Sequence, residues 1–207
     1  YENMINEACA QAGGTYCVLL SQYAEIVCPK WLQTFLKFAQ RDDIACVAPV
    51  ILDPSYVIRN AGYILTSNGL PLRSHKEMPI DSPGYFGRLT IASNYSAVSS
   101  ECLMISKYKF LKVGGFTPGL KRPFSDLDFC LSFLESGYHH VVNPEVRVLI
   151  HQNSKAQSLH FSDEDKASGL RYLNSRWKDV LSDDPFYNPN LTLEKGGFSL
   201  KIDAEIS

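Results

Sequence analysis

Tyr16-Cys17-Val18-Leu19-Leu20 and Ile44-Ala45-Cys46-Val47-Ala48-Pro49-Val50-Ile51-Leu52 are two apolar runs with no polar alternation. Gly13-Gly14 precedes the first and Ser21-Gln22-Tyr23-Ala24-Glu25 follows it; Asp53-Pro54 ends the second. Such runs predict strands buried on both faces, the habit of parallel sheets. Between them Pro29 opens a helix carrying Trp31, Leu32, Phe35, Leu36 and Phe38, which Arg41-Asp42-Asp43 closes. Strand, helix, strand predicts an α/β fold: a Rossmann-like, mostly parallel central sheet flanked by helices. Ligands of open sheets gather beyond the carboxyl ends of the strands, which singles out Ser21 to Glu25.

Working outward, Tyr1 to Ala12 reads as a helix stopped by Gly13-Gly14. Ile58 to Thr66 reads as a strand, Ser67 to Gly87 as a long loop, and Ala97 to Ile105 as a central strand. Ser106 to Lys112 is a short helix leading into Val113-Gly114-Gly115-Phe116, a tight bend. In Phe124-Ser125-Asp126-Leu127-Asp128-Phe129-Cys130 and beyond, Leu127, Cys130, Leu131 and Leu134 recur at helical spacing. Ser125 with Asp128 three residues later is a serine-x-x-acid helix start. Gly137 stops that helix. Val141-Val142 and Val146 to Ile150 read as two short strands around Asn143-Pro144, the second running into His151-Gln152-Asn153-Ser154. A charged helix spans Ser162 to Leu181 with Asp163-Glu164-Asp165 as its solvated start. The stretch Asp184 to Asn190, with Pro185 and Pro189, is expected to fold back over the domain.

At 207 residues the chain is one large domain or a domain and a half, and its formal charge of −2 provides no field for nucleic acid. The six cysteines (Cys9, Cys17, Cys28, Cys46, Cys102 and Cys130) show no C-x-x-C spacing and read as reduced thiols in a cytoplasmic protein. No apolar run approaches the ~20 residues of a membrane span. The chain starts inside a helix, whereas nucleotide-binding α/β domains open on a βαβ unit. An N-terminal half is therefore expected outside this sequence.

The acids at 126 and 128 have two readings. In a first turn a carboxylate accepts free backbone N–H groups and suits the helix dipole, worth about 0.3–1 kcal/mol. Alternatively one of them is a general base, kept ionised by the helix terminus and ready to take a proton from a hydroxyl.

Several segments, taken in order, resemble glycosyltransferase family 2, in particular a bacterial rhamnosyltransferase-like subgroup. They are the Gly13 to Leu20 strand, Cys28-Pro29-Lys30-Trp31-Leu32, Asn60-Ala61-Gly62 and Val98-Ser99-Ser100-Glu101-Cys102-Leu103-Met104-Ile105. The glycine bend, Ser125 to Cys130, Ser136-Gly137-Tyr138, Ile150 to Ser154, Asp184 to Asn190 and Phe198-Ser199-Leu200 complete the pattern. The resemblance implies a GT-A fold. It also implies transfer of a sugar, with inversion, from a nucleotide-sugar donor to a glycan or glycolipid acceptor in polysaccharide or glycoconjugate synthesis. By position, Asp126 would be the base, Gly114, Gly115, Phe116 and Asp128 would face the acceptor, and Ser21, Gln22 and Tyr23 the donor. His151 would help hold a divalent metal (magnesium or manganese) and the diphosphate. Residues 1–160 would be the acceptor-side portion of the domain, and 161–207 a helix and tail packed on it. Location would be cytoplasmic, with peripheral association at the inner face of the membrane open.

One departure stands out. The family's Asp-x-Asp motif puts a metal-binding aspartate where this chain has Tyr23, after Ser21 and Gln22. Hard divalent ions want carboxylate oxygens, and none precedes Glu25 here. Three outcomes stay open: the metal is dispensed with, Glu25 stands in, or catalysis is lost. The competing reading is thus a non-catalytic glycosyltransferase-like module binding glycan or a partner enzyme. A nucleotidyltransferase would need a glycine-rich phosphate loop, which the chain does not display. His139 and His140 read as surface or satisfied histidines, and Trp31 and Trp177 as core. Tyr85, Phe86 and Tyr95 lie in or beside the long loop, where aromatic faces could stack on a sugar.

Overall fold

β3 (Ile44–Leu52) is the centre of the molecule, and every one of its 9 residues is buried. The computed structural model describes residues 1–151, 162–193 and 198–201. Around β3 the chain runs α1 (Glu2–Gln11), β1 (Tyr16–Leu20), β2 (Ala24–Ile26) and α2 (Trp31–Ala39) before it. After it come β4 (Ile58–Asn60), β5 (Tyr63–Ile64), β6 (Leu72–Arg73), a 3₁₀ turn (Tyr85–Gly87), β7 (Ser93–Tyr95) and β8 (Cys102–Ser106). The chain continues with α3 (Lys107–Val113), α4 (Phe124–Glu135), β9 (His139–Ile150) and α5 (Asp163–Ser182).

The main sheet has the order β1-β8-β3-β9-β2, with β4 added to β3 and β7 to β9. The α/β class holds, and β1, β3 and β9 point the same way, as strand–helix–strand connections require. The expectation of mostly parallel pairing is corrected. Only β3–β9 is a parallel ladder, and the other ladders of this sheet are antiparallel. The crossover through α2 leaves β1 and β3 one strand apart. β8, whose Cys102 to Ile105 are all buried, fills that slot running the opposite way.

Side chains alternate between the two faces. On one, Val47 and Ile51 meet Phe35 and Ala39 of α2. On the other, Cys46, Ala48, Val50 and Leu52 belong to a larger core with Phe110, Phe116, Phe124, Phe129 and Trp177. Phe35 is fully buried, which stabilises the α2 face by about 1.5–3 kcal/mol.

Four expectations of local structure change. Ile58 to Thr66 breaks at Ala61-Gly62, because Gly62 takes φ +101 and a Cβ there would lie 2.6 Å from the Tyr95 ring. Ala97 to Glu101 forms a turn rather than the start of β8, tied by the Glu101 N–H donating to Ser99 Oγ (3.2 Å). β9 is one strand of 12 residues, not two. Its register against β3 jumps from Asn143 to Arg147, and this bulge accommodates Pro144, which cannot donate to a ladder. Ser125 is not a cap: α4 begins at Phe124 with Pro123 as N-cap and no side-chain capping bond.

α5 does start with a capping box. Ser162 Oγ accepts the Asp165 N–H (3.1 Å), and the Asp165 carboxylate accepts the Ser162 N–H (2.9 Å). The turn after α5 folds back as expected: Asp184 accepts from the Leu65 N–H (2.7 Å) and the Ser96 hydroxyl (2.5 Å). In mid-α5, Gly169 lies so close to Phe124 that an added Cβ would fall on the ring. Alanine normally favours a helix by about 1 kcal/mol over glycine. Here we expect Gly169→Ala to destabilise by about 1–3 kcal/mol in chemical denaturation, because Phe124 is fully buried and cannot give way.

Candidate active site

Asp126 lies in the first turn of α4 and is 1% exposed. Around it gather Arg122 from the preceding loop, Ser100 and Glu101 from the turn before β8, Tyr63 of β5, Cys46 of β3 and the Tyr1 phenol. Arg59 of β4 closes the cluster with a buried ion pair to Glu101 (3.0 Å). Glu101 also fixes the cluster in the fold. Its carbonyl accepts the Ser21 N–H (2.8 Å), just past the carboxyl end of β1.

Burial pushes the Asp126 carboxyl up to about 6, and Arg122 and the Ser100 groups offset part of that rise. This reverses the helix-terminus argument, because desolvation outweighs the dipole. Neither carboxylate oxygen completes a hydrogen bond among the described residues, and the same is true of Ser100 Oγ, Ser125 Oγ and Arg122 Nη1. Buried polar atoms without partners are costly, and their concentration at one spot marks a place built for something besides stability. Above pH 6 this carboxylate is ionised and can accept a proton.

Asp128, one residue from the base position, is different. It is 2% exposed. Its carboxylate accepts from the Thr117 hydroxyl (2.6 Å), Trp177 Nε1 (2.8 Å) and Arg176 Nη1 (3.1 Å). Trp177 and Arg176 fasten α5 to α4 through Asp128, and Thr117 ties in the loop after α3, so Asp128 has a docking role. The glycine bend is likewise built inward. Gly114 (φ +88) ends α3 in the left-handed conformation. Asn6 then brackets Phe116, accepting its N–H (2.8 Å) and donating to its carbonyl (2.8 Å). The Phe116 ring stacks on Phe129 at 4.1 Å and is 2% exposed. Its side chain packs the core, and Gly115 sits tightly between Asn6 and Phe110.

Ser21, Gln22 and Tyr23 form the loop between β1 and β2. Tyr23 accepts the His151 N–H on its carbonyl (3.0 Å), and His151 Nε2 pairs with Glu25 Oε2 at 2.6 Å. β2 and β9 therefore bring Ser21, Tyr23, Glu25 and His151 to one corner, beside Glu101. Gln152-Asn153-Ser154 lies outside the described residues. The corner does not fit a hard divalent ion. It offers one carboxylate and one imidazole, bonded to each other, and no group of three or more His, Cys, Asp or Glu is placed to hold a metal among the described residues. We expect manganese or a chelator to leave the thermal midpoint of this region unchanged, since a ligand shifts it only by binding the folded state.

The remaining aromatic and histidine expectations divide. His140 is fully buried, with Nε2 against the Cys130 carbonyl (2.9 Å), and burial lowers it to about 4. Trp31 packs edge-on against Phe35, and Trp177 is in the core. Tyr95 is buried, Tyr85 stacks on Phe198, and Phe86 is 87% exposed. The charged groups around Asp126, namely Arg122 and Glu101 with the Arg59 that pairs with Glu101, escape a reading by hydrophobic period. A local signal was Arg59, a cation inside the stretch Ile58 to Thr66 read as a strand.

A solved structure described as GalNAc-T7 with UDP, GalNAc and Mn2+ superimposes with TM-score 0.65 over 86% of this chain and 35% of that one, at 15% identity. The fold is GT-A. Two curated proteins are similar over nearly all of this chain. An uncharacterised protein, y4gI, of Sinorhizobium fredii is 35% identical over 204 residues, 97% of this chain and 22% of its own length. The O-antigen biosynthesis protein RfbC of Myxococcus xanthus is 28% identical over 196 residues, 93% of this chain and 15% of its own length. The chain thus spans about a fifth or less of these relatives. No family model matches it. No helix among the described residues is long and apolar enough to cross a membrane.

Proposed function

We propose that this GT-A region belongs to an inverting glycosyltransferase in which Asp126 is the general base. The observation that carries the reading is the Asp126 carboxylate: buried, raised to about 6 by desolvation, and grouped with Glu101, whose carbonyl accepts the Ser21 N–H just past β1. A base with that value is charged at neutral pH yet still basic enough to receive a proton. The acceptor, a sugar hydroxyl of a glycan or glycolipid, loses its proton to Asp126 as its oxygen attacks the anomeric carbon of a nucleotide-sugar. Desolvation in this cluster strengthens every charge the reacting groups meet. The GT-A likeness and the relative described as an O-antigen biosynthesis protein support the reading. No step is routed through a metal, because the Ser21 to His151 corner does not fit one. The donor's diphosphate would be met at that corner by the Ser21 to Tyr23 loop.

The test is transfer by the full-length protein with Asp126→Asn, against a panel of nucleotide-sugars. Loss of about 10²–10⁴-fold in kcat is expected; full activity overturns the assignment. A second reading, a non-catalytic binding module, is favoured by the absence of carboxylates at Ser21-Gln22-Tyr23 and by the 1% exposure of Asp126. Calorimetric titration with a nucleoside diphosphate separates the two: binding by the full-length protein supports the transferase, and none supports the module.

A further inference from the structure

The Asp126 cluster contains a cation that the proposed reaction has not yet used. Arg122 immediately precedes Pro123, the N-cap of α4, and so stands one turn before Asp126. Its guanidinium carbon lies 4.9 Å from the centre of the Tyr1 ring, which caps it on one side. Its Nη1 is buried without a hydrogen-bond partner, and both Asp126 oxygens are in the same condition. The two groups are coupled electrostatically but do not close into an ion pair. A structural ion pair would have closed, since an open buried pair forfeits most of its attraction.

We propose that Arg122 is the positioning residue of this site: from one turn upstream its guanidinium balances the charge of the Asp126 carboxylate while an acceptor hydroxyl approaches. The proposal rests on Asp126 acting as the base. The other groups facing Asp126 do not supply this role. Glu101 is negative and opposes ionisation, and Arg59 is committed to Glu101. Tyr63, Tyr1 and Cys46 are neutral, their protons held more tightly by burial, and the Ser100 groups are uncharged. Among the charged groups of the cluster, Arg122 is the cation left to Asp126.

Two readouts test this. The first needs no substrate: the ¹³C carboxyl titration of Asp126 in wild type, Arg122→Met, Arg122→Gln and Arg122→Lys. Met and Gln should move the midpoint upward by about one pH unit or more, and Lys should return it toward wild type. The second is the pH–rate profile of the full-length protein. Without the guanidinium its acid limb should move up with the titration, so that transfer at pH 6.5 falls about tenfold relative to pH 8.5, with Lys rescuing it. An unmoved midpoint in both Met and Gln variants overturns the proposal, as does a profile merely scaled down at all pH values. If the base reading fails instead, Asp126→Asn keeps its activity while the Arg122 variants still displace the titration, so the two failures are told apart.

Discussion

Asp126→Asn should make the protein more stable. The native carboxyl is raised from 3.8 to about 6, so the folded state holds its proton over a range where the unfolded chain has released it. Stability carried by that proton is complete below about pH 4 and is lost as pH rises through 6. Above pH 6 the buried anion costs up to about 3 kcal/mol, which asparagine removes. For a chain of this size that is roughly 5–10 °C in thermal midpoint. The gain should be near zero at pH 4 and level off above pH 6, as read by thermal unfolding across pH. His75 and His140, both lowered to about 4, act in the opposite sense. Their contribution is present above the usual histidine value of about 6.5 and fades as pH falls toward 4, but it is common to both proteins and cancels in the difference. A stability gain accompanied by loss of transfer is the trade expected where an active site is held at the expense of the fold.

Asp128 should behave in the reverse manner. Asp128→Ala strands the Trp177 N–H in a buried site and leaves Thr117 and Arg176 without their acceptor. The buried indole costs about 1–3 kcal/mol. Arg176 is 42% exposed on its side chain and recovers water, so it adds little. The total should be about 2–4 kcal/mol in denaturant unfolding, with Trp177 fluorescence reporting release of α5. In a double-mutant cycle, Asp128→Ala and Trp177→Phe should couple by about 1 kcal/mol or more, and strictly additive losses would sink the docking role. Asp128→Asn, which keeps an acceptor, should lose less stability and retain transfer.

The contrast between two acids one residue apart explains what was legible in the sequence. The pattern located α4 and its acids, but their roles depend on partners far along the chain. Trp177 and Arg176 reach Asp128 from 49 and 48 residues away. Ser100 and Glu101 meet Asp126 only once the turn before β8 folds against α4. The apolar runs located β1 and β3, but only β3 is buried on both faces; β1 lies at the sheet edge, with Leu20 exposed, so its run overstated its burial. The slotting of β8 between β1 and β3 leaves no local trace, because pairing sense is a property of topology. Pro144 suggested a break in β9, yet a bulge absorbs it within one strand. The inward turn of Phe116 was hidden for the same reason: an aromatic after two glycines reads alike whether it faces a ligand or Phe129.

The most direct measurement is the ¹³C titration of the Asp126 carboxyl in the wild-type protein. A midpoint near 6 is predicted, as the burial of this carboxylate requires. A midpoint at or below 4 would mean a solvated or fully bonded helix-cap acid, and would contradict Asp126 as the base.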